Sequence, residues 1–468
     1  MKGLEVKEVA ISAAHAHKEM RLEAEFYVKE SLVVGNYRTG REIIPFVQYG
    51  TSDELNEDGI GFPVLRLNEF ETMFLGEPAK WCALLDDADY EALKIRKGDV
   101  LVCRTNGNPT LVGKAAVALE DKETAFASYL FRVRPNADYL SPEVLCVFLN
   151  SKAGRIEIER HSIRSNQVNF SPDKLLQVKI PLFSPPFQQV IEKMVREAFN
   201  CIKAEKSNLR LGEQTLLRAL GLEGWKPPEP LTYTRRASEA FAAGRFDAEH
   251  FLPKFDALVS RIHAQELEVM PLQNLIFPVK NGFDCREFVG EGTPYIRVGD
   301  IGQCRINLDS AEKIPLSANE ISKGISLLVG DVLFTRKGSY GNAAPVRLGE
   351  EHAIISSEIM LIRLKPEFTE KVLPEYLALY FNSIAGAYQA EKWAHGVAFY
   401  SVSQEDLNRF LVPLLSISIQ EQLRDSLNQA ESARRKAHEL LERAKRAVEI
   451  AIEQSEAAAL RYLDQRPE

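Results

Sequence analysis

The sequence predicts an α+β chain in which two repeated globular domains are separated by two long helices pairing as an antiparallel coiled coil. Three observations predict it. The stretch Gly98-Asp99-Val100-Leu101-Val102-Cys103-Arg104 returns as Gly330-Asp331-Val332-Leu333-Phe334-Thr335-Arg336. Later landmarks keep the same offset, 336 − 104 = 232, in Asn150-Ser151 against Asn382-Ser383, Gly154 against Gly386 and Pro181 against Pro413. After each of those prolines the apolar spacing changes from every second residue to every third or fourth, the signature of a change from strand to helix. A repeat of this length is a whole domain rather than a solenoid unit.

The first domain spans 1–185 and the second 245–413. Each opens on a related segment, Arg21-Leu22-Glu23-Ala24-Glu25-Phe26-Tyr27 and Arg245-Phe246-Asp247-Ala248-Glu249-His250-Phe251. Strand-like runs follow, Phe62 to Leu67 and Thr293 to Val298, and then the repeated Gly-Asp stretch. A short β-branched run bounded by turn residues reads as a buried strand that delivers its arginine into a polar loop. Helical segments are expected over Ser141 to Arg155 and Pro374 to Ala390, each leading through a polar loop to a strand that ends in proline.

The central helix spans 186–221, a linker 222–244, the distal helix 414–455 and a tail 456–468. In the first helix Phe187, Ile191, Met194, Ala198 and Cys201 alternate four and three apart. In the second, Ile419, Leu423, Ser426, Ala430, Ala433, Ala437, Leu440, Ala444, Ala447 and Ala451 hold that rhythm, which is the seam of a coiled coil with alanines permitting close approach. A helix of the first one's length extends roughly 50 Å. Gly221 and Gly224 end it, and Lys226-Pro227-Pro228-Glu229-Pro230 leads into the second domain.

Composition narrows the class. At 468 residues, with 45% hydrophobic and 26% charged, the chain suits a multidomain globular protein. It has no apolar run long enough to span a membrane and no secretory leader at Met1, so a cytoplasmic location is expected. The six cysteines lack any C-x-x-C spacing and read as reduced, mostly buried side chains, so no metal is expected. The net charge, 58 − 66 = −8, rules out an overall basic coat but not a local basic face.

Catalytic patterns are weak. Ser184-Pro185-Pro186-Phe187 imitates a target-amine motif of amino-methyltransferases, but it stands at a helix start, where proline is favoured, and its repeat reads Ser416-Ile417-Ser418-Ile419. Asp99, Glu120 and Lys122 have the loose spacing of a metal-dependent nuclease, yet the second copy offers Glu350-Glu351-His352 without a lysine. No phosphate-cradling P-loop is present.

The polar loops carry more. One set comprises Arg104, Thr105, Asn106, Asn108 and Lys114, matched in the second half by Arg336, Lys337, Ser339, Tyr340 and Asn342. Another comprises Arg160, Arg164, Ser165, Asn166, Gln167 and Asn169, matched by Lys392, His395, Tyr400 and Ser401. Arginine suits guanine edges and Asn or Gln adenine edges, whereas Lys and Ser suit phosphates. Arg104 and Arg336 either face duplex DNA or pair with acidic neighbours in their own domains. The supports repeat while the tips differ, as two domains reading two different sequences require.

Taken as an ordered double set, these motifs resemble the specificity subunit of Type I restriction–modification systems. The set is R-x-x-A-E-F/H-Y/F, then G-D-V-L, N-S-x-x-G, the strand ending in proline and the long helix. The resemblance covers nearly the whole chain. It implies two target-recognition domains, each reading one half of a bipartite DNA site, with the helical pair setting their spacing. It also implies a non-catalytic chain whose partners are DNA, methyltransferase subunits (two expected) and restriction subunits. S-adenosylmethionine, ATP and Mg belong to those partners, and this chain binds no cofactor. Two other readings stay open at this level, a metal-dependent nuclease and a coiled-coil DNA-binding scaffold without sequence preference.

Overall fold

The structure, a computed structural model, describes residues 8–11, 24–164, 168–317, 322–396 and 400–465. The chain divides into two compact α+β units, Met1–Lys203 with Arg434–Glu468, and Ala204–Ala433.

The main sheet of the first unit runs in the order Phe46–Tyr49, Leu130–Arg134, Val100–Cys103, Ala115–Val117, Phe74–Leu75, Phe70–Glu71. Its central strand, Val100–Cys103, is antiparallel to both neighbours, with Cys103 opposite Leu130 and Val100 opposite Val117. A continuous apolar run marks a strand covered on both faces. Val100 and Val102 accordingly join the core with Val144, Leu145 and Phe148, while Leu101 and Cys103 join Val64, Leu65 and Phe126 on the other side. In the second unit the order is Lys280–Asn281, Ile359–Ile362, Val332–Thr335, Ala343–Pro345, and the central strand again has antiparallel neighbours.

Smaller sheets follow the same scheme. Phe62–Leu65 pairs parallel with Ala125–Phe126 and antiparallel with Lys80–Cys82, and Thr293–Ile296 does likewise with Ile354–Ile355 and Glu312–Ile314. The strand ending in proline pairs Pro181 with Tyr37, and its counterpart pairs Pro413 with Val269.

The N-S-x-x-G motif has a mechanical explanation. The single helix expected over Ser141 to Arg155 is two, Pro142–Asn150 and Lys152–His161, and that over Pro374 to Ala390 is Pro374–Asn382 and Ile384–Trp393. Ser151 and Ser383 are extended, and each hydroxyl donates to a carbonyl of the helix before it (Phe148 and Tyr380, both 2.7 Å) and accepts from the helix after it. Asn150 and Asn382 bridge to the sheet, donating to the carbonyls of Ala115 (2.9 Å) and Ala343 (2.7 Å). At Gly154 and Gly386 an added Cβ would meet the carbonyl oxygens of Phe148 and Phe381 at 1.9 and 2.3 Å, so only glycine lets the second helix turn back this closely.

The long helices are Pro185–Ala219 and Ile417–Glu453, and the division between units falls inside each. Within the first unit Phe187, Ile191, Val195, Ala198 and Ile202 share a core with Ala437, Leu441, Ala444, Ala447 and Val448, and Lys436 lies 2.6 Å from Glu197. Within the second unit Leu216 and Leu220 share a core with Leu423 and Leu427. Val195 and Ile202 are the buried positions, each one residue beyond Met194 and Cys201, which pack half-buried against the same core. The expected tail carries a helix, Glu456–Asp464, whose Ala459 is buried in the first unit's core; its apolar run is too short to signal a helix alone. The expected linker likewise contains a helix, Ala237–Ala243, and its Leu222 is buried in the second unit.

One glutamine on each long helix fastens it to its unit. Gln188 accepts from the Ser141 N–H (3.0 Å) and donates to the carbonyls of Tyr139 (3.0 Å) and Phe183 (2.9 Å). Gln420, fully buried, accepts from the Leu373 N–H and donates to Lys371 and Leu415, all at 2.8 Å. Replacing Gln420 by Leu strands one amide and two carbonyls, and is expected to destabilise the second unit by about 1–3 kcal/mol. A lower thermal midpoint, with the exposed Gln422→Leu as control, is the expected reading; equal midpoints would refute the anchoring role.

Candidate nucleic-acid interface

Each central strand ends in an arginine whose backbone is held from both sides. The Arg104 N–H donates to the Tyr129 carbonyl (2.8 Å), and its own carbonyl accepts from the Phe170 N–H (2.8 Å). Arg336 makes the equivalent pair with Glu358 and Val402, both at 2.9 Å. These clamps draw the polar segments together. Asn169 stands opposite both Thr105 and Ile163 in a three-stranded sheet. Ser401 bridges both Lys337 and His395, positions shifted by 232 from Thr105 and Ile163.

The acid that starts each central strand is structural. Asp99 is fully buried, 3.0 Å from Arg132 and in contact with Arg134. Asp331 is buried and receives a two-pronged bond from Arg363, 2.7 Å on each prong. Their second oxygens also cap the preceding turn, accepting from Arg96 N–H (2.8 Å) and Leu328 N–H (2.7 Å). Glu120 pairs with Lys203 (3.0 Å), and Lys122 with Glu77 (3.1 Å). The three residues of the nuclease pattern are thus consumed by separate ion pairs, and among the described residues no group of three His, Cys, Asp or Glu side chains could hold a metal.

With these acids occupied, neither Arg104 nor Arg336 forms an ion pair among the described residues. The Arg104 guanidinium lies over the Tyr49 ring, 5.3 Å from its centroid. Both arginines are half-buried, and in both the Nε is buried without a hydrogen-bond partner among the described residues.

The remaining residues divide. Asn106 and Asn108 shape their loop, their side-chain oxygens accepting from the N–H groups of Asn108 (2.8 Å) and Thr110 (3.0 Å), which leaves their amide N–H groups as donors. The Thr105 hydroxyl is 3.2 Å from the Val168 carbonyl. Lys114 is half-buried, and burial followed by the charge of Arg155 lowers its pKa. Arg155 itself donates to the Thr110 carbonyl (2.9 Å), joining this cationic corner to the loop. Arg160 is turned inward, paired with Glu157 (2.7 Å) and set over the Phe26 ring. Arg164 lies in the strand Ile163–Arg164, Asn169 is exposed, and Ser165, Asn166 and Gln167 lie outside the described residues.

In the second unit Lys337 and Ser339 are exposed, and the Tyr340 and Tyr400 rings stand 6.4 Å apart. Asn342 is drawn to the Ile301 carbonyl (3.4 Å). Lys392 is 3.8 Å from Asp256, and its pKa is lowered by burial against that acid's opposing pull. His395 Nε2 is 3.0 Å from Asp406. Residues 397–399 of this loop lie outside the described residues. Arg160 and Lys392 therefore serve as local supports, whereas Arg104 to Asn108 with Asn169, and Arg336 to Ser339 with Ser401, form the gathered tips.

Sequence reasoning missed the supports. Gln188 and Gln420 keep the 232 offset and were findable by it. Arg134 and Arg363 differ by 229, since the loops before them differ in length, and a fixed-offset search passes over them.

No family model matches the chain. It is 20% identical over 305 residues to the Type I restriction enzyme EcoKI specificity subunit of Escherichia coli (strain K12), covering 63% of this chain and 59% of that protein. It is 26% identical over 128 residues to the StySPI specificity subunit of Salmonella potsdam, 27% of each chain. The matches thus span less than two thirds of either relative. Among solved structures, the S subunit of a Type I restriction–modification system from M. genitalium aligns with 93% of this chain and 97% of its own at 13% identity, with a TM-score of 0.43. In sequence, then, the chain is similar to Type I specificity subunits.

Asp99→Ala leaves the buried Arg132 guanidinium without its counter-charge. Breaking a buried pair from one side costs on the order of 3–5 kcal/mol. The expected result is a markedly lower thermal midpoint; an unchanged one would mean that Asp99 is not a structural pin.

Proposed function

We propose that this chain is the sequence-specific DNA-binding specificity subunit of a Type I restriction–modification complex, without catalysis of its own. In this reading residues 1–185 and 245–413 are target-recognition domains, each contacting one half of a bipartite site. The long helices at 186–221 and 414–455 pair as an antiparallel coiled coil and act as the spacer. The partners are duplex DNA, adenine methyltransferase subunits, expected as two, and restriction subunits; S-adenosylmethionine, ATP and Mg are held by those partners. The complex works in the cytoplasm.

One observation carries the reading above the others. Two supports that share the order of four central-sheet strands, the same glutamine anchor and the same clamped arginine bear different residues at their tips: Thr105, Asn106 and Asn169 in one, Lys337, Gly338 and Ser401 in the other. A fixed scaffold with varied polar tips is what reading two unlike half-sites by base-edge hydrogen bonds demands. The sequence similarity to Type I specificity subunits points the same way. The nuclease reading loses its acid, since Asp99 is sealed between two guanidinium groups.

Co-expression with a cognate methyltransferase, followed by sequencing of modified bases, should reveal one motif of two defined halves around an undefined gap. A continuous motif, or none, would refute the proposal.

A further inference from the structure

Arg104 and Arg336 hold the same unused donor in two separate places. In each, the backbone is tied to the sheet on one side and to the returning loop on the other, so the side chain is fixed at its root. In each, the Nε–H is buried without an acceptor, as it is in Arg38, Arg132 and Arg347, but those three bond through their other guanidinium nitrogens, whereas no guanidinium nitrogen of Arg104 or Arg336 has an acceptor among the described residues. Half-buried donor groups in native proteins are nearly always paired, so a guanidinium left wholly unpaired at the same place twice points to an acceptor that arrives from outside.

What surrounds the two arginines differs. Tyr49 lies beneath Arg104, whereas the position 232 residues later is Asn281, and among the described residues no ring lies under Arg336. The residues that follow also differ, Thr105-Asn106 against Lys337-Gly338. The clamped arginine with its unpaired guanidinium is therefore what the two sites share, and neither the ring nor the tip.

We infer that Arg104 and Arg336 donate to phosphate oxygens of the DNA backbone and not to base edges. This rests on the DNA-binding reading above and assigns the contact within it. Two unlike half-sites differ in their bases and have the sugar–phosphate backbone in common. A residue kept at one clamped position while its neighbours change serves the common part, and the neighbours serve the part that varies. The two terminal nitrogens of the guanidinium fork match a phosphate bidentately. Phosphate contacts of this kind fix the protein's register on the duplex, and the tips then meet the bases in a defined frame.

The test uses the full chain with its methyltransferase partner and measures DNA affinity across a salt series. Arg104→Gln, Arg336→Gln and the corresponding Lys variants are compared on the recognised duplex and on duplexes altered in either half-site. Each Gln variant should lose affinity by the same factor on all duplexes, and its salt slope should fall by about 0.9. Each Lys variant, keeping the charge, should hold the wild-type slope. A loss confined to one base position would overturn the inference in favour of base reading. Equal slopes for wild-type, Gln and Lys proteins would overturn it in favour of an internal role. If instead the wild-type complex shows no preference among duplexes, the DNA-specificity reading itself fails, and this inference fails with it.

Discussion

A glutamine amide near the start of each long helix, half-buried in Gln188 and fully buried in Gln420, is the constraint on which the arrangement of each unit depends. Gln188 and Gln420 both sit between the end of the proline strand, the segment before the first domain helix and the N–H of the residue that caps that helix, Ser141 or Leu373. One side chain thereby satisfies three backbone groups that would otherwise be buried unpaired. It also fixes the angle at which a helix of 35 or 37 residues leaves the sheet. A greasy contact at this point would permit rotation about the helix axis; a three-point amide bond does not.

The same division of labour recurs toward the loops. Buried charge is spent on the scaffold: Asp99 and Asp331 accept from turn amides and from guanidinium groups on the adjacent strand, so the central strand begins at a fixed place. Its far end is fixed by the hydrogen bonds on either side of Arg104 and Arg336. Between these two points the strand is covered on both faces and has little freedom to drift. The polar tips therefore vary without disturbing their support, and the proposed function needs that property, because altered specificity must not require a new fold.

Much of this was legible in the sequence because the chain repeats itself. The central strands, the proline strands, the N-S-x-x-G junctions and both long helices all follow from the offset of 232 and from the change in apolar period. The break at Ser151 was not, since helical spacing continues across it and only the hydroxyl's bonds to both sides reveal the cap. The role of Asp99 was hidden for another reason: its partners Arg132 and Arg134 lie on a strand distant in sequence, and the acid is in a Gly-Asp turn pair that occurs widely. Of the candidate site, the arginines and the residues just after them stand where the loops meet, whereas Arg160 and Lys392, candidates by charge alone, pair with local acids. Charge alone does not distinguish a cation held out to a ligand from one that secures its own domain.

The central claim is that each unit reads its own half of the target through tips carried on a common scaffold. The most direct measurement exchanges residues 1–185 for the corresponding domain of a related specificity subunit and compares the methylated motifs of the parent and the hybrid. The account predicts that one half-site changes to that of the donor while the other half-site and the gap stay as they were. Changes in both halves, or in neither, would contradict it.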